Sequence, residues 1–350
     1  MEEIRAFIAF SRLRSISRSA KRQVAEGVRH VASLFEGDDG TLSGAARQEI
    51  FSFKGWGDID SELAALRERG AEVITIKDNT YPELLKNIPD PPLVLYKKGS
   101  LSLEQNAVAI VGSRRASEES MNLSEKIADT LSSLGITVIS GLARGVDAAA
   151  HRGALTGSGK TIAVLGCGLD ICYPWENKRL YQRVGEEGAV LTEYGLGERP
   201  LAYHFPERNR IIAGLSKGVL VIEAAKKSGS LITARLGAEY GRSVMAIPGS
   251  IFSEEYTGTN ALIKQGAKLV DSIEDVIAEC FPGLTVIRKK PIDLDGNEDY
   301  IYSIVGPRRI HVDEVIEKSK MAAKEVMAIL TVLEMKDAIR EVAGGFYIRK

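Results

Sequence analysis

The sequence Val-Ala-Ile-Val-Gly-Ser-Arg at residues 108–114 combines four consecutive apolar residues with a glycine, a serine and an arginine. A short apolar run without alternation is typical of a strand that is buried on both faces of a parallel sheet. Glycine directly after such a strand permits a tight turn and lets a ligand approach the backbone closely. The stretch therefore predicts a buried parallel strand that leads into a binding loop.

Similar apolar runs follow at residues 137–139, 161–165, 189–191, 219–222 and 244–247. Segments of helical length separate most of them, namely Glu118–Leu134, Val146–Leu155 and Leu231–Tyr240. Strands that alternate with helices indicate an α/β fold in which helices cover both faces of a parallel sheet. We therefore predict a Rossmann-like, doubly wound, mostly parallel sheet over residues 101–281.

The flanking regions have different patterns. Residues 1–100 carry apolar side chains at helical spacing and predict a helical N-terminal domain. Residues 282–296 are rich in proline, glycine, lysine and aspartate and predict a linker. In residues 297–350, short helical segments precede a Gly344-Gly345 turn and the apolar Phe346–Ile348, which predicts a winged-helix-like domain.

Composition narrows the choice of function only slightly. The chain has 350 residues, a formal net charge of -1 and three cysteines without a metal-binding spacing. No apolar run reaches the ~18 residues that a membrane helix needs, so we expect a cytoplasmic protein with reduced thiols and no membrane contact. Because the net charge is close to zero, any nucleic-acid site has to be a local concentration of positive charge.

Two segments match enzyme motifs but lie in the wrong structural context. Ala154–Thr161 is close to a P-loop and Gly214–Gly218 matches the GxSxG pattern. Both are predicted to join a helix to a following strand, whereas both motifs need a strand that leads into a helix. Gly166-Cys167-Gly168 lacks the third glycine of a dinucleotide fingerprint, and the four histidines have no metal spacing. We therefore predict no cofactor, no metal and no enzymatic activity.

Glycines, hydroxyl residues and basic residues recur where predicted strands meet loops and where helices begin. Small turns at helix starts offer backbone N–H groups, and arginine binds phosphate through two N–H donors. Tyr173 lies in a loop near these turns, and exposed rings beside arginines suit stacking of unpaired bases. Together with the resemblance described next, these features give the predicted DNA-binding residues, which are Gly112, Ser113, Arg114, Arg115, Gly141, Arg144, Lys160, Gly168, Tyr173, Asn209, Arg210, Ser228, Gly229, Ser230 and Thr233.

The blocks that carry these residues resemble the DprA/Smf (DNA-processing protein A) family, in order along the chain. They are Val111–Arg114, Ser140–Asp147 with His151, Thr161–Asp170, Tyr173-Pro174, Phe205–Ser216, Ser228–Ala234, Pro248-Gly249 and Gly258–Ile263. The resemblance implies a Rossmann-like domain that forms a homodimer, binds single-stranded DNA and delivers it to a RecA-type recombinase. In transformable bacteria this serves natural transformation.

The resemblance also assigns roles. Arg114 and Lys160 match basic positions that contact DNA in the family, together with Asn209, Arg210 and the Ser228–Thr233 turn. The N-terminal region resembles a degenerate helix–hairpin–helix domain, because its hairpin, Ser15–Arg18, lacks glycine. The C-terminal region holds nine basic and nine acidic residues, which favours a protein-contact or regulatory role.

Two other classes of function remain open at this point. A nucleotide phosphoribohydrolase on the same kind of sheet would also place glycine turns and an arginine over a phosphate. Its PGGxGTxxE motif is missing, and Pro248-Gly249-Ser250 is the nearest match. A pure scaffold protein would leave the basic residues at the strand ends unexplained.

Overall fold

The computed structural model describes residues 2–37, 42, 44–100, 102, 106–157, 160–284, 294–306, 309–342 and 344–349. The chain divides into two compact units, Met1–Leu284 and Thr285–Lys350. The predicted linker lies partly outside the described residues, which leave out 285–293.

The first unit is built on one nine-stranded sheet. Its strands are β1 (Ala71–Thr75), β2 (Val94–Gly99), β3 (Ala107–Val111), β4 (Thr137–Ser140), β5 (Thr161–Val164), β6 (Ala189–Thr192), β7 (Gly218–Val221), β8 (Ser243–Ala246) and β9 (Lys268–Leu269). Their spatial order is β1-β2-β6-β5-β4-β3-β7-β8-β9. In this spatial order all neighbouring strands from β6 through β3 to β9 pair in parallel, and β2 pairs with β6 in antiparallel orientation. The predicted mostly parallel α/β fold is confirmed.

Strand β3 lies where the chain reverses its direction of travel across the sheet. All five of its residues are buried, and Ala109 pairs with Ile139 of β4 on one side and Val219 of β7 on the other. From β3 the chain builds outward through β4, β5 and β6, and later through β7, β8 and β9 on the opposite side. Ligands of open α/β sheets bind at the carboxyl ends of the strands at such a switch point. The loop after β3 is therefore the expected place for a ligand.

Helices and short helical turns surround this sheet. They are α1 (Glu2–Arg12), α2 (Arg18–Gly27), α3 (Ser33–Glu36), α4 (Gly44–Phe51), α5 (Trp56–Glu68), α6 (Glu83–Lys86), α7 (Glu118–Ser133), α8 (Val146–Thr156), α9 (Lys178–Glu187), α10 (His204–Gly214), α11 (Ser230–Glu239), α12 (Thr257–Lys264) and α13 (Ile273–Cys280), with 3-10 turns at Trp175–Asn177 and Glu254–Tyr256. Among the described residues, no helix has the length and apolarity that crossing a bilayer requires.

The N-terminal helices share a core with the sheet. Phe7, Ile8 and Phe10 of α1 are fully buried in the same cluster as Leu95 of β2. The structure differs here from the predicted separate domain over residues 1–100, because β1 and β2 extend the sheet across that boundary. Residues 1–284 consequently form one compact unit.

The second unit is a winged helix, as predicted. It contains α14 (Gly296–Ile304), β10 (Ile310–His311), α15 (Val312–Ser319), α16 (Ala323–Met335), β11 (Ile339–Val342) and β12 (Phe346–Arg349). The three strands form a small antiparallel sheet in the order β10-β12-β11. Gly344 and Gly345 have φ angles of 91° and 76°, a region that favours glycine, and they form the turn of the wing.

The two segments that match enzyme motifs each join a helix to a following strand, as the sequence predicted. Helix α8 ends at Thr156 and β5 begins at Thr161, so the P-loop-like segment runs from helix to strand, with Ser158 and Gly159 outside the described residues. The GxSxG match likewise joins α10 to β7. Neither segment provides the strand-to-helix turn that its motif requires.

Candidate nucleic-acid interface

An open cavity of about 730 Å³ lies at the carboxyl ends of β3, β4 and β7, and we call it the edge groove. The loops after these strands form one wall, and helices α10 and α11 form the other. Ten predicted DNA-binding residues line it, namely Gly112, Ser113, Arg114, Arg115, Tyr173, Asn209, Ser228, Gly229, Ser230 and Thr233. The fold thus brings together segments that are more than 100 residues apart in the sequence.

The loop after β3 is fixed closely against the start of α8. The Ser113 backbone N–H donates to the Glu223 carbonyl at 2.8 Å, and the Val146 N–H donates to the Ser113 carbonyl at 3.2 Å. A Cβ at Gly112 would lie 2.5 Å from the Val146 Cγ2 atom, and one at Gly145 would lie 2.2 Å from the Ser113 carbonyl oxygen. Glycine is therefore required at both positions for this close approach, which holds the following arginines in place.

Three cationic side chains line the edge groove without a carboxylate partner among the described residues. Arg114 and Arg115 follow the β3 loop, and Lys227 follows β7; all three are exposed. The Arg114 guanidinium lies 5.2 Å from the ring centre of Phe205, so an aromatic face supports it. The sequence prediction omitted Lys227, although its place directly before Ser228 was the available signal. These three cations are free to bind an anion.

The start of helix α11 contributes the positive end of the helix dipole to the same groove. Its N-cap residue is Gly229, and the N–H groups of Ser230 and Leu231 donate to the Oγ atom and the carbonyl of Ser228. The Asn209 amide donates to the Gly229 carbonyl at 3.4 Å, and the hydroxyl oxygens of Ser228 and Ser230 lie 2.8 Å apart. A helix N-terminus carries a partial positive charge, which attracts phosphate. This turn is therefore a second element that favours anions.

The floor of the edge groove contains a buried arginine and a buried carboxylate. Arg208 is only 3% exposed, and its guanidinium donates to the carbonyl of Gly141 at 2.8 Å and to that of Val164. Asp147 accepts a hydrogen bond from the Gly141 N–H at 3.2 Å. Burial lowers the pKa of Arg208 to about 10 although the charge of Asp147 opposes this shift. Burial also raises the pKa of Asp147, and the Arg208 charge opposes it.

Gly141, a predicted DNA contact, belongs to this floor and not to the binding surface. It is buried, and a Cβ there would lie 2.5 Å from the Arg208 Nη2 atom. Its glycine therefore makes room for a guanidinium of the protein itself. Arg208 was left out of the predicted site, although the apolar Ile211 and Ile212 on the following turn of α10 indicated that its side of the helix faces inward.

Arg210 lies on the opposite side of α10 from the edge groove. It is buried, forms an ion pair with Glu193 and has its Nε atom 3.4 Å from a carboxylate oxygen of Asp90. Residues two apart on a helix differ by about 200° in direction, so Arg208 and Arg210 face opposite ways. The predicted phosphate contact at Arg210 is therefore replaced by an internal ion pair.

Lys160, Arg144 and Gly168 also lie outside the edge groove. Lys160 precedes β5 and is at the amino end of that strand, about 13 Å from its carboxyl end at ~3.3 Å per residue. Arg144 is exposed and forms an ion pair with Glu176. A Cβ at Gly168 would lie 2.5 Å from the Gly195 carbonyl oxygen, so this glycine serves packing between two loops.

An exposed aromatic ring, that of Tyr173, lines the edge groove. Tyr173 is 43% exposed and has its ring centre 5.4 Å from that of Phe205. Trp175 and Tyr203 are also largely exposed. Among the described residues that line the groove, the one carboxylate is Asp147, which the loop backbone already engages. The geometry thus offers cations, a helix N-terminus and a ring, the combination that binds a phosphodiester chain with unpaired bases.

Comparisons with known proteins agree with this geometry. A family model described as DNA recombination-mediator protein A matches residues 72–281, and one described as DprA winged helix domain matches residues 288–345. The DNA processing protein DprA of Streptococcus pneumoniae is 46% identical over 70% of this chain and 87% of its own. Protein Smf of Escherichia coli is 39% identical over 82% of this chain and 80% of its own.

Two solved structures are also similar. The X-ray structure of DNA processing protein A from Streptococcus pneumoniae matches with a TM-score of 0.69 and 40% identity, over 78% of this chain and 96% of that one. A structure of DNA processing protein A from Helicobacter pylori, described as giving insight into its single-stranded DNA binding mode, matches with a TM-score of 0.55 and 32% identity, over 59% of this chain and 94% of that one.

Proposed function

The chain belongs to the DprA/Smf family of DNA-processing proteins, and we propose that it binds single-stranded DNA in the edge groove. The observation that carries the proposal is the meeting of three unpaired cations, a helix N-terminus and an exposed tyrosine around one groove at the switch point of the sheet. Arg114, Arg115 and Lys227 would bind phosphates, and Tyr173 would stack on a base.

The same geometry favours single strands over duplex. The groove offers turns and short loops to a bent single chain, whereas a duplex is read by an element that enters its major groove. We expect the Kd for a blunt duplex to be at least tenfold higher than that for a single strand, which corresponds to about 1.4 kcal/mol of binding free energy.

The first experiment measures the salt dependence of binding to labelled dT20 by fluorescence anisotropy. The triple variant Arg114→Gln, Arg115→Gln, Lys227→Gln should bind more weakly, and its log–log salt slope should be shallower by about 0.7 for each lost phosphate contact. A matched control replaces Lys54, Lys126 and Arg179 by glutamine, three exposed residues outside the groove. Equal affinity and slope in the groove variant and the wild type would place the site elsewhere.

We further propose that the protein acts as a homodimer formed by the Rossmann-like unit and loads a RecA-type recombinase on the bound strand, in a transformable host during natural transformation. Support comes from the family, which the DNA recombination-mediator model describes. The test follows recombinase ATPase on single strands coated with single-strand-binding protein. The wild type should shorten the lag before turnover and the triple groove variant should not; an unchanged lag with wild type would refute the loading role.

We propose that binding, and not catalysis, is the activity of this site. The competing function is hydrolysis of nucleoside monophosphates by a phosphoribohydrolase-like enzyme on the same sheet. Asp147 is the carboxylate of the groove, and its hydrogen bond to the Gly141 N–H and its burial give it a structural role. Incubation of the protein with nucleoside monophosphates should release no free base; repeated turnover that Asp147→Asn abolishes would establish the enzyme instead.

A further inference from the structure

A second cavity lies on the other side of α10, between the N-terminal helices and the sheet, and we call it the hairpin pocket. Its volume is about 540 Å³, within the range of ~300–1,000 Å³ that is usual for small-molecule sites. The connection between α1 and α2 forms one wall, and the segment after β6 forms another. The hairpin Ser15–Arg18, which lacks glycine, lies in this connection and at the first residue of α2.

Five cationic residues line the hairpin pocket, against two carboxylates, Glu193 and Glu198. Three of the cations are neutralised: Arg12 by Glu62, Arg18 by Glu207 and Arg210 by Glu193. The other two, Arg14 and Lys21, have no carboxylate partner among the residues that the structure describes. Glu198 is exposed and lies 3.7 Å from the His204 Nε2 atom.

Lys21 is the unusual member of this set because it is only 8% exposed. Its ammonium has three N–H donors, and the one hydrogen bond that the structure gives it goes to the Ser11 carbonyl at 2.7 Å. Burying a charge that no carboxylate contacts costs free energy, and here the burial lowers the pKa of Lys21 to about 8, although the charges of Glu49 and Glu193 oppose this shift. A structural role would be served better by an apolar residue, so the position is suited to an anion that comes from outside.

The remaining wall of the hairpin pocket is apolar. Pro91, Pro92, Leu93 and Val94 line it together with the ring of Tyr194. A ligand that fits therefore carries an anionic group at one end and a flat or apolar group at the other. A mononucleotide combines both in one molecule of suitable size.

We propose that the hairpin pocket binds a free mononucleotide, with its phosphate on Lys21 and Arg14 and its base against the Pro91–Val94 wall. This site is separate from the edge groove, because Arg208 and Asn209 of α10 line or underlie the groove whereas Arg210 lines the pocket. The two proposed sites therefore consist of different residues.

Isothermal titration of the full chain with AMP, adenosine and inorganic phosphate tests the proposal. AMP should bind one to one and at least tenfold more tightly than either fragment. Lys21→Met and Arg14→Gln should each weaken AMP binding at least tenfold, and the matched control Lys54→Met, on an exposed lysine, should stay within twofold of wild type. Arg14 is exposed, so its variant keeps the test valid if Lys21→Met fails to fold.

The triple groove variant Arg114→Gln, Arg115→Gln, Lys227→Gln should bind AMP like the wild type. If that variant loses AMP while Lys21→Met keeps it, the nucleotide binds in the edge groove and the proposal is wrong. Absence of saturable binding at millimolar AMP would also overturn it. Phosphate that binds as tightly as AMP would refute the role of the apolar wall, and adenosine that binds as tightly would refute the role of the cations.

Discussion

Replacing Arg208 by methionine tests whether the floor of the edge groove is held by a buried charge. The guanidinium bonds the carbonyls of Gly141 and Val164, which end or follow neighbouring strands, and it faces the buried Asp147. Methionine has a similar length but no donors, so it fills much of the space and leaves both carbonyls and the carboxylate without this partner.

The size of the loss follows from these contacts. A hydrogen bond from a charged donor contributes about 1.5–3 kcal/mol, and the Arg208 guanidinium donates two of them, to the Gly141 and Val164 carbonyls. The contributions overlap, because protonation of Asp147, whose pKa burial already raises, relieves part of the charge. We therefore expect a decrease of about 3–5 kcal/mol in the free energy of unfolding. For the unit Met1–Leu284, an entropy of unfolding of about 2.1 cal/mol/K per residue gives about 1.7 °C per kcal/mol, so Tm should fall by about 5–8 °C.

Urea unfolding followed by circular dichroism measures this free energy. Arg235→Met, on an exposed arginine of α11, is the matched control and should change it by less than about 0.5 kcal/mol. Adding Asp147→Asn to Arg208→Met should recover at least about 1 kcal/mol, because the uncompensated charge is then gone. A loss below 1 kcal/mol in Arg208→Met would refute the structural role. So would a shallower salt slope of DNA binding at a temperature where the variant is folded, since that slope reports phosphate contacts.

Three further predictions concern stacking, the buried lysine and the domain boundary. Tyr173→Ala should weaken binding of dT20 by about 1–3 kcal/mol through the loss of base stacking. The control Tyr300→Ala, on an exposed tyrosine of the winged helix, should leave the affinity unchanged. Equal affinities of the two variants would contradict the stacking role of Tyr173. Lys21→Met should raise the free energy of unfolding at pH 7, and this gain should shrink from pH 8 towards 10.5, because burial lowers the pKa of Lys21 from 10.5 to about 8 and the folded wild type loses its buried charge over that range. Urea unfolding at pH 7 and 9.5 measures the gain. A gain that is equal at both pH values would exclude this cause. A fragment of residues 101–281 should lack a cooperative thermal transition, because it loses β1 and β2 and thereby exposes the edge of β6. A fragment of residues 1–284 should unfold cooperatively and bind dT20 with a Kd within about tenfold of that of the full chain.

The central sheet could be predicted from the sequence because its strands are buried on both faces. Continuous runs such as Val108–Val111 and Val219–Ile222 leave little choice of structure when glycine or a helix-length segment follows. The pairing of β1 with β2 and of β2 with β6 could not be predicted in this way. Antiparallel addition of Val94–Gly99 to the sheet depends on a partner about 90 residues away, and the local pattern of residues carries no information about that partner.

The candidate site could likewise be predicted from the sequence only in part. Glycine and serine turns at strand ends and helix starts, such as Gly112-Ser113 and Ser228–Ser230, were found because the carboxyl ends of parallel strands meet at one edge. Lys160 was misplaced because it enters its strand and therefore lies at the other edge. Arg208 and Arg210 are both buried, on opposite sides of α10. Ile211 and Ile212 indicate the inward side for Arg208, whereas the carboxylates that engage Arg210 come from other segments of the chain and give no local signal.

The partners of each cation separate the structural charges of this protein from those available to ligands. Arg208 and Arg210 are buried, and carbonyl oxygens or carboxylates engage them, so their charges stabilise the fold. Arg114, Arg115 and Lys227 are exposed around one groove without carboxylate partners among the described residues, so a polyanion can neutralise them at little desolvation cost. Lys21 combines burial with the absence of such a partner, and this costs stability unless an anion enters. Because a buried charge without a partner is the costliest of the three cases, the hairpin pocket depends more on a single residue than the edge groove does.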